Sequence, residues 1–99
     1  FYYLDVKIIG DGKAVVIPVS GRLNTTTAPD FNAIVEGPVG KADDVTLDLQ
    51  DLDFISSAGI RSIMTIRSKK GAGNVHIVNA AGLVREVFEV SGISAILEN

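Results

Sequence analysis

The chain has 99 residues, of which 46% are hydrophobic and 21% charged, so one packed domain over residues 1–99 is expected. It has no cysteine, which excludes disulfides and thiolate metal sites and suits a reducing cytoplasm. A net charge of −3 disfavours direct nucleic-acid binding, and no apolar run approaches the ~20 residues needed for membrane insertion.

The first elements predicted are two antiparallel strands. Residues 2–9 and 13–20 are rich in β-branched and aromatic side chains, and Gly10-Asp11-Gly12 between them supplies the turn residues of a hairpin. An exposed strand edge would allow two copies of the chain to pair weakly.

A first helix is predicted next, ending near residue 36. Thr27 followed by Asp30 resembles a capping box, and Gly37-Pro38 and Gly40 are expected to break the helix. Its predicted apolar stripe consists of Ala28, Phe31, Ile34 and Val35.

The second half alternates strands and helices. A strand over 45–49 leads through 51–54 into a helix that ends at Gly71-Ala72-Gly73, and a buried strand over 75–78 precedes a third helix with Gly92 as its C-cap. The helical spacing is carried by Ile60, Ile63, Met64 and Arg67 in the second helix and by Val84, Val87 and Phe88 in the third. This order predicts an α/β fold with a mixed sheet of four to five strands, an N-terminal hairpin and three or more helices mainly on one face.

The junction between the third strand and the second helix carries two hydroxyls, Ser56 and Ser57, one of which is the predicted helix N-cap. A helix N-terminus favours anions, so a phosphoserine would be stabilised there and would join Asp48, Asp51 and Asp53 on an acidic approach. The alternative is a serine that only caps the helix.

Other chemistries have little support. A catalytic triad would need an oriented base and an acid, and Ser57 lacks the Gly-x-Ser-x-Gly elbow, so no catalytic residue is expected. His76, the only histidine, is expected to be a half-exposed strand residue. Asp51 and Asp53 without further ligands do not make a metal site, and no cofactor motif is present. The basic residues of the second helix are expected to form a solvated face: Arg61, Arg67, Lys69 and Lys70.

Three stretches of the chain resemble the STAS domains of anti-sigma factor antagonists. They are residues 21–28 (Gly-Arg-Leu-Asn-Thr-Thr-Thr-Ala), 54–61 (Phe-Ile-Ser-Ser-Ala-Gly-Ile-Arg) and the C-terminal helix with its exit turn, 83–93. The resemblance places the family's phosphorylated serine at Ser57, with Ser56 as the alternative. The family often has aspartate at the positions of Asn24 and Ser56. This chain therefore lacks a carboxylate at each of these two positions near the expected phosphorylation site.

This resemblance implies a partner-switching phosphoprotein that has no catalytic activity of its own. The unphosphorylated protein would bind an anti-sigma factor that is also a serine kinase with a histidine-kinase-like ATPase fold, and so release the sigma factor. Phosphorylation of Ser57 would end the binding, and a metal-dependent serine phosphatase would reverse it. The docking surface would comprise Asn24, Thr25, Asp53, Ser56, Ala58, Gly59, Ile60 and Arg61.

A second hypothesis is a STAS module that is never phosphorylated, in the small subunit of a lipid transporter or in a piece of an anion permease. The fold would be shared and the function would not. Phe1 in place of an initiating methionine mildly favours an excised piece, whereas the Ser-Ser-Ala-Gly motif favours the free-standing antagonist.

Overall fold

The computed structural model describes residues 3–98 as an α/β domain. Its strands and helices follow one another as β1 (Leu4–Val6), β2 (Ile9–Gly10), β3 (Ala14–Leu23), α1 (Ala28–Lys41), β4 (Asp44–Asp48), β5 (Leu52–Ile55), α2 (Ser57–Lys70), β6 (Val75–Val78) and α3 (Gly82–Val90). Short 3₁₀ turns follow α2 at Ala72–Asn74 and α3 at Ser94–Ile96.

Strand β3 organises the sheet, because its ten residues pair with four other strands. Along one edge β3 pairs antiparallel with β1 and β2, and along the other it pairs in parallel with β4 and then β5. Strand β6 extends the sheet beside β4, also in parallel. The predicted mixed sheet and N-terminal hairpin are confirmed, and the six strands exceed the four to five predicted.

One face of the sheet is buried beneath all three helices. Along β3 the side chains alternate between buried and accessible, and β4 and β6 continue the same alternation. The predicted arrangement, with helices mainly on one face, is therefore confirmed. The fully buried side chains with the largest volumes come from both the sheet and the helices: Phe31, Phe88, Ile17, Leu23, Leu47, Leu49, Ile55, Ile63 and Ile77.

The prediction that α1 ends near residue 36 was wrong, since α1 continues to Lys41 with Pro38 inside it. Proline removes one backbone donor and ordinarily breaks a helix. Here Val39 is buried beyond the proline, and the backbone N–H of Ala42 donates to the Pro38 carbonyl at 3.1 Å. Burial of the last turn thus outweighs the local propensity. Ile34, predicted to face inward, is 44% exposed.

Three strand boundaries also differ from the predictions. The first predicted strand is interrupted at residues 7–8 to give β1 and β2, and its Tyr2 lies outside the described residues. Strand β3 continues past Ser20 to Leu23 because it gains new partners there in β1 and β5. Strand β5 itself was predicted only as a connection into the second helix.

Helices α2 and α3 end where the sequence predicts. Helix α2 stops at Gly71, which has a φ of +91°. After α3, the N–H of Ile93 donates to the Phe88 carbonyl and that of Gly92 to the Glu89 carbonyl, both at 3.0 Å. These two bonds, with Gly92 at a φ of +77°, form a Schellman motif. Val84 and Phe88 are buried as predicted, and Val87 is half-buried.

His76 ties the C-terminal segment to the accessible face of the sheet. Its Nε2 lies 2.9 Å from Asp44 Oδ1 of β4, and its Nδ1 lies 2.5 Å from Glu98 Oε2. Beside it, Leu97 forms a β-bridge with Ile77, and the Glu98 N–H donates to the Ile77 carbonyl at 2.9 Å. The hydrogen bonds to Glu98 and Asp44 raise the pKa of His76 above its ordinary value of 6.5.

This cluster predicts a pH-dependent stability. Because its pKa is raised in the folded state, His76 stabilises the fold fully when the pH is below 6.5, its unfolded pKa. This stabilisation is lost as the pH rises through the folded pKa. Between pH 5.5 and 8.5 we expect the free energy of unfolding in urea to fall by up to about 1 kcal/mol, because the pairs are partly exposed. His76→Gln should remove this slope, and an unchanged slope in that variant would contradict the assignment.

Candidate functional site

The candidate site lies where two parallel strands end side by side. Leu23, the last residue of β3, is in register with Ile55, the last residue of β5. The chain leaves β5 directly into α2, and the backbone N–H of Ser56 donates to the Leu23 carbonyl at 3.0 Å. The loop after β3 and the first turn of α2 therefore occupy the same edge of the sheet, as expected for the carboxyl ends of neighbouring parallel strands.

The loop between β3 and α1 is held by its own side chains. Asn24 Oδ1 accepts from the backbone N–H groups of Thr26 at 2.9 Å and Thr27 at 3.0 Å. Thr27 Oγ1 accepts from the Asn24 N–H at 2.9 Å and donates to the Arg22 carbonyl at 2.8 Å. Asn24 thus uses its amide oxygen to fix this turn.

The expected capping box is absent, although Thr27 does occupy the N-cap position of α1. Its hydroxyl bonds back toward Arg22 and Asn24 and makes no capping bond to the helix. Thr27 is only 1% exposed, so both of its bonds are shielded from water. Its role in holding the loop was missed from the sequence, although an asparagine three residues before a threonine is typical of such turns.

Gly59 allows the first turn of α2 to approach the end of β3. A Cβ atom at this position would lie 2.6 Å from the Leu23 carbonyl oxygen and 2.7 Å from Ile55 Cγ1. The first of these neighbours is backbone and cannot rotate away. The glycine of the Ser-Ser-Ala-Gly motif is thus required for packing the helix onto both strand ends.

The two serines differ in accessibility. Ser56 is the N-cap residue of α2, as one of the two predicted alternatives, but its side chain makes no capping bond. Its Oγ is buried and has no hydrogen-bond partner among residues 3–98. Ser57 is the first helical residue and is exposed. Of the two hydroxyls, that of Ser57 faces solvent.

The charged residues around the helix start are also positioned unequally. Asp51 and Asp53 are exposed on the approach to α2, whereas Asp48 Oδ1 accepts from the Gln50 N–H at 3.1 Å and from Asn79 Nδ2 at 3.0 Å. The first turn of α2 contains no acidic side chain. Arg61 follows one turn after Ser57 and is exposed.

A groove of 330 Å³ lies between the amino-terminal halves of α1 and α2. It is lined by Thr25, Ala28, Pro29, Asn32, Ala58, Arg61, Ser62 and Thr65. Three of these lining residues belong to the predicted docking surface: Thr25, Ala58 and Arg61. Of the other predicted docking residues, Gly59 and Ser56 Oγ are buried and Ile60 is half-buried. The remaining lining residues were not singled out from the sequence, because a groove between two helices depends on how those helices pack.

His76 is not brought to this site. It lies near the amino-terminal ends of β4 and β6, whereas Ser57 follows the carboxyl end of β5, and both imidazole nitrogens contact carboxylates. Among residues 3–98 no three histidine or acidic side chains are grouped as a metal ion would need. None of the helices in that range is long and apolar enough to cross a bilayer.

The mixed sheet with helices on one face places the chain among small α/β domains of the SpoIIAA-like fold. The chain belongs to the STAS domain family, because the family model described as "Mlab, STAS domain" matches residues 7–98. The resemblance noted in the sequence is therefore confirmed.

One curated relative supports this assignment by sequence. BtrV of Bordetella bronchiseptica, named as a candidate anti-sigma factor antagonist, is 35% identical over 81 residues, which are 79% of this chain and 70% of BtrV.

Solved structures support the fold. An anti-sigma factor antagonist from Mycobacterium paratuberculosis has a TM-score of 0.85 at 18% identity, over 97% of this chain and 84% of that one. The phosphorylated form of SpoIIAA from Bacillus has a TM-score of 0.70 at 18% identity, over 94% and 88%. Part of the mouse anion transporter Slc26a9 has a TM-score of 0.61 at 14% identity, over 86% of this chain and 14% of the transporter. At these identities the likeness concerns the fold alone.

The packing of Gly59 leads to a stability prediction. Gly59→Ala should lower the free energy of unfolding by about 1–3 kcal/mol, because the added methyl overlaps the Leu23 carbonyl and Ile55. The measurement is urea denaturation followed by circular dichroism.

The matched control is Gly40→Ala in α1, where a Cβ would meet nothing within 4 Å. That change should stabilise the protein by about 0.5–1 kcal/mol through helix propensity. If the two alanine variants had equal stabilities, the close approach at Gly59 would be wrong.

Thr27 gives a second prediction for the same edge of the sheet. Thr27→Val should lower the free energy of unfolding by about 1–3 kcal/mol, because the Arg22 carbonyl and the Asn24 N–H would lose their partner in a buried position. Thr27→Ser should retain most of the stability, because it keeps the hydroxyl. Equal losses in thermal denaturation of the two variants would show that the hydroxyl does not hold the loop.

Proposed function

We propose that this protein is an anti-sigma factor antagonist controlled by phosphorylation of Ser57. In its unphosphorylated form it binds an anti-sigma factor serine kinase, and the sigma factor is released. The observation that carries the proposal is the exposed hydroxyl of Ser57 at the first position of α2, in a STAS chain related to BtrV.

The difference in burial supports Ser57 as the phosphate acceptor. A kinase must bring the γ-phosphorus of ATP up to the serine oxygen, which loses its proton as ADP leaves. Ser57 is exposed to such an approach, whereas Ser56 Oγ is buried behind the first turn of the helix. Phosphorylation of Ser56 would first require its buried hydroxyl to turn out of the packing.

The helix start explains how phosphorylation would leave the fold intact. A phosphate adds about −1.5 to −2 charge at neutral pH, and the unpaired N–H groups of a first helical turn stabilise an anion. The first turn of α2 has no acidic residue to oppose it. Phosphorylation would therefore change the surface rather than unfold the domain.

The surface changed in this way is the proposed docking surface. Thr25, Ala58 and Arg61 line the groove, Ala58 directly follows Ser57, and Asp53 is exposed close by in sequence. A phosphate there must either be desolvated beneath the partner or repel its acidic groups. Since each ~1.4 kcal/mol changes an affinity tenfold, a penalty of a few kcal/mol is enough to end binding. A serine phosphatase would restore the surface.

The second candidate is a regulatory module of a lipid transporter or anion permease. Part of Slc26a9 shares the fold, with a TM-score of 0.61, so the fold is compatible with this candidate, whereas the sequence relationship to BtrV favours the antagonist. In such a module Ser57 would only begin the helix, and charge at this position would not control binding.

The test is a comparison of wild type and Ser57→Asp as baits in lysate of the source cell, with ATP or ADP added. We expect wild type to capture an ATPase-fold serine kinase. Ser57→Asp should capture at least about tenfold less of it, which corresponds to a loss of ~1.4 kcal/mol in binding free energy. The fold should be retained, because an acidic residue is favourable in a first helical turn.

The matched control is Ser68→Asp, which places the same charge on an exposed position farther along α2. This variant should capture the kinase as wild type does. Equal capture by a folded Ser57→Asp protein would contradict the switch, and equal capture of transport subunits by all three baits would establish the second candidate.

A further inference from the structure

We propose that Arg61 forms an ion pair with the phosphate on Ser57 of the same chain. The guanidinium would pair with the phosphate and leave the groove between α1 and α2. This inference rests on the proposed phosphorylation of Ser57. Neither the motif nor the fold assigns this role to Arg61. In this role Arg61 is a cation that phosphorylation of Ser57 removes from the docking surface.

The helix places the two side chains together. Ser57 and Arg61 are four residues apart in α2, and both are exposed. Residues with this spacing are neighbours on a helix surface, with Cβ atoms about 5–6 Å apart. Side chains in a helix lean toward its N-terminus, so the long Arg61 side chain covers the turn that begins with Ser57.

Arg61 has no competing acid within its own helix. The residues three and four positions away are Ser57, Ala58, Met64 and Thr65, none of which is charged. No ion pair joins Arg61 to any carboxylate in residues 3–98. A phosphate on Ser57 would be the first anion at the correct spacing.

The other basic side chains are placed elsewhere. The Arg22 guanidinium lies 5.2 Å from the centre of the Phe54 ring, in a cation–π contact between β3 and β5. Arg67, Lys69 and Lys70 lie in the last turn of α2. Arg61 is therefore the cation of α2 that lies one turn from Ser57.

The chemistry of this pair is favourable. A phosphate dianion accepts two parallel hydrogen bonds from a guanidinium, and an anion placed four residues before a cation is the preferred order on a helix. Arg61 is also the only charged side chain among the groove-lining residues. Pairing would neutralise it, so phosphorylation would both add an anion at the helix start and remove the cation of the groove.

The test uses protein with phosphoserine incorporated at position 57 during translation, so that no kinase is needed. The second pKa of the phosphate is measured by ³¹P NMR titration in the otherwise wild-type protein, in Arg61→Gln and in Arg67→Gln. Loss of an i,i+4 cation should raise this pKa by about 0.3 units in Arg61→Gln. The difference should shrink in 1 M salt, because partly exposed pairs are screened.

Arg67→Gln is the control for net charge, and it should shift the pKa by less than about 0.1 units because the side chain is distant. Arg61→Lys keeps the charge without the planar fork and should give an intermediate value. Equal shifts in Arg61→Gln and Arg67→Gln would overturn the pairing. That result is independent of whether cells phosphorylate Ser57, so it is distinguishable from failure of the proposed function.

Discussion

The contact between the first turn of α2 and the end of β3 determines the rest of the site. At Gly59 the helix lies so close to the Leu23 carbonyl that even a Cβ atom would be 2.6 Å away. The Ser56 N–H donates to the same carbonyl oxygen at 3.0 Å. One backbone acceptor at a strand end thus fixes both the direction in which the chain leaves β5 and the depth at which α2 packs.

This constraint gives the two serines different environments. Ser56 is held against the sheet with its hydroxyl buried, while Ser57, one residue later, is turned toward solvent. On the neighbouring strand end, Thr27 and Asn24 hold the next loop at the edge by hydrogen bonds that they make to each other and to Arg22. Both sides of the groove are consequently fixed to the same edge of the sheet, so the proposed change of charge at Ser57 would act on a surface that is already formed.

Much of this arrangement could be predicted from local signals. The exit of α2 at Gly71, the Schellman motif at Gly92 and the serine junction all follow from caps and periodicity within a few residues. The length of α1 could not be predicted in this way, because the burial of Val39 outweighs Pro38 only after the helix packs. Strand β5 could not either, because its four residues become a strand by pairing with the far half of β3.

At the site, the motif indicated which residues lie near the proposed switch but not what each one does. The close approach that Gly59 permits, the burial of Ser56 Oγ and the groove lined by Arg61 all depend on contacts between elements distant in sequence. The physical difference between two adjacent serines explains why one of them is the proposed switch.

The decisive measurement is site-resolved mass spectrometry of the protein purified from its source cells, with phosphatases inhibited. We expect one phosphate per chain, on Ser57, in a fraction that varies with growth condition. Phosphate on Ser56 instead, or an unmodified chain in every condition, would contradict this expectation.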